Sequence, residues 1–337
     1  ILRLAKQEIQ LKSEFFEQTK IYKERVLKRA ESYTQVLEPA SLYEPMRYAL
    51  QDGGKLLRPI LAQVTYEAVG GTTKDILDAA VALELVHVFS LVHDDIMDDD
   101  DMRRSRETVH KKWDASTAIL VGDAILIKAY EAIGQVNSKH LPRVLAQFSQ
   151  SILEVCEGQA LDMEFENRTD VKLDDYFGMI DRKTARLFEL ACEIGAILGG
   201  GSEVKINAMR TYGKKLGRAF QIQDDLLDVL ADQDTLGKDV GSDIQEDKKT
   251  FLMLYTRERG NRAQVEQLDA IVQKEKLGRA DIDSVISLMT DIGAIDAARQ
   301  HVKEALQEAR AALNELAESD AQRLLTNLLD MLEHRTF

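Results

Sequence analysis

Cysteine is almost missing from this chain: Cys156 and Cys192 are the only two in 337 residues. Two thiols cannot build a disulfide framework, so the fold has to rest on a packed core, in a protein suited to the reducing cytoplasm. Proline is nearly as scarce, with 4 residues against 19 glycines, and long stretches therefore carry nothing that breaks a helix. Basic residues are outnumbered. The 44 Lys and Arg against 58 Asp and Glu give a formal net charge of −14, which argues against nucleic acid as a partner. There is no stable membrane span either, because the longest apolar stretch is interrupted by Asp78, Glu84 and His87. The first thirty residues are charged and helical in pattern, not signal-like. No spacing pairs a nucleophile with a base.

What is present is helix. A hydrophobic fraction of 45% with helical periodicity throughout predicts one large all-α domain over residues 1–337. The pattern predicts a first helical region up to about residue 36 and short helices at about 42–51 and 60–69. A central helix is expected over about 74–100, with Thr72 and Asp75 at its start. Others follow at about 115–135, 139–164, 173–198 and 203–230. Arg103 to His110 reads as a basic loop and Ala231 to Lys249 as a long polar one, whose length marks it as functional.

Six aspartates fall within the eight positions Asp94 to Asp101, at the end of the central helix, and Arg103 and Arg104 follow. A helix C-terminus disfavours anions, so something positive has to compensate. Asp94 and Asp98 are four apart and Asp95 and Asp98 three apart, so their carboxylates share one side of a helix. Oxygen-only ligands on a shared face suit a hard cation such as Mg²⁺. A solvated acidic run explains one such stretch equally well, but the pattern recurs at Asp224, Asp225 and Asp228, again at the end of an apolar helix. Facing each other across a bundle, the two sets would hold several metal ions over one cavity. Four basic clusters accompany them: Lys55 with Arg58, Arg103 with Arg104, Arg182 with Lys183, and Lys238 with Lys248. Arginine forks and lysine point charges are the usual phosphate holders, and Gly53-Gly54 permits close backbone approach. His87 lies on nearly the same helix face as Asp94 and Asp98, although a buried structural histidine fits there too; His93 reads as packing. Glu84-x-x-His87 and Glu107-x-x-His110 have the form of a di-iron bundle motif. They are too close in sequence, with too many aspartates and arginines between them, to be preferred.

Taken together, Gly53-Gly-Lys-Leu-Leu-Arg-Pro59, Asp94-Asp-Ile-Met-Asp98 with Arg103-Arg104, Lys183-Thr184, and Phe220-Gln-Ile-Gln-Asp-Asp-Leu-Leu-Asp228 with Gly237-Lys238 resemble the trans-prenyl diphosphate synthases over about residues 40 to 255. The resemblance implies the isoprenoid synthase fold, an all-α bundle around a deep cavity, in a homodimer. It also implies Mg²⁺ at both aspartate motifs, with Asp94, Asp98 and Asp224 as ligands and Asp95 and Asp225 beside them. Arg103, Lys183, Thr184, Gln221 and Lys238 would hold an allylic diphosphate, with Lys248 close by. Lys55, Arg58, His87 and Arg104 would hold isopentenyl diphosphate. Phe89, five residues before the first aspartate, would form the floor that limits product length to C15 or C20. Residues 94–98 carry no insertion, which is closer to the C20 makers. Leu56 replaces a basic residue common in the family, and Ser105 and Glu107 replace its usual Gly and Pro. Three further readings remain: a longer-chain synthase, a terpene cyclase, whose second motif would normally carry Asn, Ser or Thr and Glu, and a silent partner subunit, which would normally have lost one motif.

Overall fold

Most of the described chain is helical, and several of its breaks fall at glycines such as Gly70-Gly71 and Gly199 to Gly201. The computed structural model describes residues 2–35, 38–51, 54–72, 76–230, 241–274 and 276–334, with side chains in the first helix from Ser13 onward. In order come α1 (Leu2–Ala30), α2 (Ala40–Leu50), α3 (Leu57–Ala68) and α4 (Leu77–Met97). A two-stranded hairpin follows, β1 (Met102–Arg103) and β2 (Arg106–Glu107), then α5 (Val109–Lys112), α6 (Ala115–Gly134) and α7 (Leu141–Glu166). Next are α8 (Leu173–Ile180), α9 (Arg186–Leu198) and α10 (Glu203–Leu230). The remainder is α11 (Ser242–Gln245), α12 (Phe251–Arg259), α13 (Arg262–Val272), α14 (Arg279–Ile292), α15 (Ala294–Ala312) and α16 (Asp320–Glu333).

The layers follow from which helices are apolar on every side. Leu77 to Val92 of α4 and Leu187 to Ile197 of α9 are buried along most of their length, as expected of helices with no polar face. α4 packs between α6 and α3, α3 packs on α9, α9 on α10, and α10 on α15. Two bonds fix α16 to α10: Tyr212 Oη donates to Leu325 O (2.8 Å) and Gln223 Nε2 to Leu332 O (2.6 Å). Both are buried, and a broken one would leave a desolvated carbonyl.

The structure differs from the sequence reading in three places. α4 stops at Met97, three residues early, because Asp99 turns to a left-handed φ of +52°. Residues 103–110 are not a plain loop. Arg104 (φ +49°) and Ser105 (φ +63°) form a tight turn between two strands. Such turns usually announce themselves by Asn-Gly, so Arg-Ser gave no signal. The stretch 173–198 is helical throughout but is interrupted by a π turn at Asp181–Ala185. Asp75 and residues 231–240 lie outside the described residues.

Candidate active site

The first aspartate motif occupies the last turn of α4, where Asp98 N donates to Asp94 O (2.8 Å) and Asp100 N to Asp95 O (3.0 Å). Asp99 provides the left-handed stop that glycine more often supplies. The three carboxylates then separate. Asp95 is 4% exposed, and Arg103 Nε donates to its Oδ1 at 2.5 Å. Asp94 and Asp98 have their carboxyls pushed up by burial, Asp94 to about 6, while Lys183 pulls both down.

The second motif ends α10 and is more heavily bonded. Asp225 accepts from Tyr176 Oη (2.6 Å), Gln221 Nε2 (3.0 Å) and Phe251 N (3.2 Å); burial still pushes its carboxyl up to about 6. Asp228 accepts from Ser242 Oγ (2.7 Å) and Asp243 N (3.1 Å). Burial, with Asp228 and Asp225 nearby, pushes Asp243 up to about 8. Asp224 is one of the charges felt by Arg58 at the start of α3. α3, α4 and α10 thus open onto one space.

Lys183 and Thr184 reach that space from the π turn, a feature that recurs at functional sites. α7 presses against it so closely that a Cβ on Gly158 would stand 2.3 Å from Lys183 N. Lys183 Nζ pairs with Asp162 of α7. Burial lowers its pKa, but the carboxylates of Asp162, Asp94 and Asp98 outweigh that and leave it raised. Thr184 Oγ1 donates to Gln221 Oε1 at 2.7 Å, so Thr184, Gln221 and Asp225 form a relay from the π turn to the second motif. Lys248 is pulled down by burial and raised more strongly by Asp243, Glu246 and Asp98. Arg182 turns back along its helix to Gly178 O (2.8 Å).

The remaining basic residues gather near α4. The Arg58 guanidinium stacks on Phe188 at 4.5 Å, and its buried Nε has no hydrogen-bond partner among the described residues. Burial pulls its pKa down to about 10. Burial and three neighbouring arginines hold His87 far below its usual range, so it is neutral. Lys55 is exposed. A cavity of about 260 Å³ runs beside these residues, lined by Val26, Leu85, Val88, Val92, His87 and Arg104 among others. The hairpin that carries Arg103 and Arg104 is held by Tyr48 of α2. Its ring is flanked by Arg106 (4.1 Å) and Lys112 (4.3 Å), and its hydroxyl donates to Glu107 O (2.8 Å). Phe89 is buried with its ring 4.9 Å from that of His93, and His93 Nε2 lies 3.3 Å from Ile119 O of α6. Lys238, Gly237 and Gly53 lie outside the described residues.

The polyprenyl synthetase family profile matches residues 39–289. The chain belongs to that family. A short chain isoprenyl diphosphate synthase of Methanothermobacter thermautotrophicus is 41% identical over 317 residues, 93% of this chain and 96% of the relative. A geranylfarnesyl diphosphate synthase of Natronomonas pharaonis is 38% identical over 320 residues, 90% of this chain and 92% of the relative. The crystal structure of a geranylgeranyl pyrophosphate synthetase from Pyrococcus horikoshii superposes with a TM-score of 0.92 at 37% identity, covering 96% of this chain and 99% of that one. This polyprenyl synthetase has the isoprenoid synthase helical fold.

The structure adds three residues to the candidate site of this family member that the sequence reading passed over, Asp162, Tyr176 and Asp243, and sets Glu84, read there as half of a di-iron motif, in the field of Arg58. Asp162 could have been noticed, because it lies four residues after a glycine inside an otherwise unbroken helix. Tyr176 carries no local signal, since its partner Asp225 is 49 residues away.

Proposed function

We propose that this chain is a Mg²⁺-dependent trans-prenyltransferase that condenses isopentenyl diphosphate with an allylic diphosphate head to tail, giving short-chain prenyl diphosphates with C20 favoured. One observation carries the reading: the π turn sets Thr184 on Gln221 of the α10 motif at 2.7 Å and, beside it, Lys183 close enough to the α4 motif for its charge to act there. Lys183 feels Asp94 and Asp98, Lys248 feels Asp98, and Arg58 feels Asp224. Residues 1–337 work as one isoprenoid synthase domain in this reading.

The donor set fits Mg²⁺. Among the described residues no three His, Cys, Asp or Glu side chains form a metal shell by themselves. Mg²⁺ commonly takes only one or two carboxylates, with waters and substrate phosphates filling the other positions. Asp94, Asp98 and Asp224 would hold it. When bound it neutralises charge developing on the diphosphate leaving group. Lys183, Thr184, Gln221, Arg103, Lys238 and Lys248 serve the allylic diphosphate, and Lys55, Arg58, His87 and Arg104 the homoallylic one. The orphaned Arg58 Nε is suited to a phosphate oxygen. As the allylic C–O bond breaks, fixed cations stabilise the departing anion without reorganising. The double bond of isopentenyl diphosphate attacks the allylic carbon, and the cation formed loses a proton, with the released diphosphate as the base. Neutral His87 can donate one hydrogen bond to a phosphate oxygen.

Ile119, Leu120 and Ile127 on α6, with Leu145, Leu153 and Met163 on α7, are exposed large apolar side chains, which favours a covering partner on these helices. In this reading that partner is a second copy in a homodimer. Free Cys156 and Cys192 suit the reducing cytoplasm. No described helix is long and apolar enough to cross a membrane.

The test is incubation with isopentenyl diphosphate, each allylic primer and Mg²⁺, with products sized by chromatography. C20 is expected as the main product, and Phe89→Ala should lengthen it by at least one C5 unit if Phe89 is the floor. Unchanged products from Phe89→Ala, with longer ones from Val86 or Ser90 variants, would move the floor to another face of α4. Consumption of primer without incorporation of isopentenyl diphosphate would favour a cyclase. No reaction with any primer would favour a silent subunit.

A further inference from the structure

α1 carries none of the motifs, yet one of its side chains reaches the basic pocket. Lys23 Nζ donates to Gly54 O at 3.3 Å. The same glycine lies under the guanidinium of Arg104, so close that a Cβ would come within 2.6 Å of Nη1 and 2.9 Å of Nη2. Two residues on, Leu56 holds a left-handed φ of +51°, a conformation that costs a non-glycine residue energy and persists only when its surroundings impose it. Across from this segment, the Glu84 carboxylate of α4 lies where the fields of Arg58, Arg104 and Lys23 overlap. Four elements therefore meet at Gly54: α1, the lead-in to α3, α4 and the hairpin.

We propose that Lys23 is a positioning residue of the homoallylic diphosphate pocket. Its bond to Gly54 O pins residues 54–56 against α1 and keeps the bare Cα of Gly54 beneath Arg104. Its charge offsets Glu84 and so lessens the pull of that carboxylate on Arg58 and Arg104. The allylic side is held by other means, since Lys183 and Thr184 are fixed by α7 and α10 through Asp162 and Gln221. Loss of Lys23 should therefore act on one substrate only. This inference rests on the reading of the pocket given above.

Steady-state kinetics on Lys23→Met and Lys23→Arg, beside the wild type and with each substrate varied in turn, test it. Lys23→Met should raise KM for isopentenyl diphosphate about 3- to 10-fold, the range expected for one lost hydrogen bond, with kcat, the allylic KM and Tm held. Lys23→Arg, which keeps charge and donor, should restore most of the loss. Gly54→Ala, which displaces Arg104 instead of the lysine, should raise the same KM. An unchanged isopentenyl KM in Lys23→Met, with the wild type active, would overturn the proposal alone. So would a parallel rise in both KM values with a lowered Tm, which would make Lys23 a packing residue of α1. A wild type that incorporates no isopentenyl diphosphate would overturn the reading of the pocket and this proposal with it.

Discussion

The two aspartate motifs have the same spacing and opposite upkeep. At the end of α4, Asp95 is tied down by Arg103 at 2.5 Å, while burial pushes the carboxyls of Asp94 and Asp98 up and Lys183 pulls them down. At the end of α10, Asp225 takes three donors and Asp228 two, and the charge of Asp224 acts on Arg58. In both, the middle aspartate anchors the motif to a neighbouring element. The third differs: in α4 it faces the cations, and in α10 it caps the start of α11. A repeated sequence pattern is therefore held in two different ways, because different neighbours claim its carboxylates.

The comparison is broken most directly at the first aspartate of each motif. Asp94→Ala and Asp224→Ala should each lower kcat on the order of 10³-fold, as the loss of a main charge stabiliser does, with the fold intact by circular dichroism; EDTA should abolish turnover. Full activity in EDTA would end the assignment. Next come the unequal pairs. Asp98→Ala should cost on the order of 10²-fold in kcat without lowering Tm. Asp225→Ala should destabilise by about 3 kcal/mol, because Tyr176 Oη and Phe251 N lose their buried acceptor. Equal stability losses in thermal unfolding would remove the asymmetry. Tyr176→Phe sharpens it by removing one of the three donors to Asp225. It should cost about 1.5 kcal/mol and leave KM for both substrates near the wild-type value.

The smallest effect expected is one of pH. Burial pushes Glu84 up to about 7, against the pull of Arg58, Arg104 and Lys23. The folded state thus favours its protonated form, and that contribution to stability, full at acid pH, is lost as pH rises through about 7. Once ionised, Glu84 competes with a diphosphate for Arg58 and Arg104. KM for isopentenyl diphosphate should rise a few-fold across that interval in the wild type and stay flat in Glu84→Gln. Identical profiles would show that Glu84 does not titrate there.

Much of this was legible in the sequence, for reasons that can be stated. α4 and α10 are helices of 21 and 28 residues whose periodic apolar positions run into an aspartate motif near the end, and no packing partner is needed to see either. The clusters at Lys55, Arg58, Lys183 and Lys248 stand out as charges beside helix ends. Contacts across the bundle left no trace. Nothing near Asp225 announces Tyr176, and nothing near Asp228 says that its carboxylate is already taken by Ser242 and Asp243. The tight turn at Arg104-Ser105 lacks the glycine that would have revealed it. Fidelity of helical period hid the π turn, because the residues on either side of it keep their apolar faces inward.

That π turn is in effect one surplus residue stored within a helix. Deleting a single residue between Asp181 and Ala185 would let the backbone close into ordinary α-helix, with a hydrogen-bond ladder at least as good as the present one. It would also turn the residues of the π turn themselves by up to about 100° about the axis, while the helix on either side keeps its facing. Lys183 would turn from Asp162, Thr184 from Gln221, and α7 would no longer need a glycine at its crossing. The shortened chain would be a well-formed bundle with nothing to offer a diphosphate, so in this helix reactivity depends on an imperfection of register.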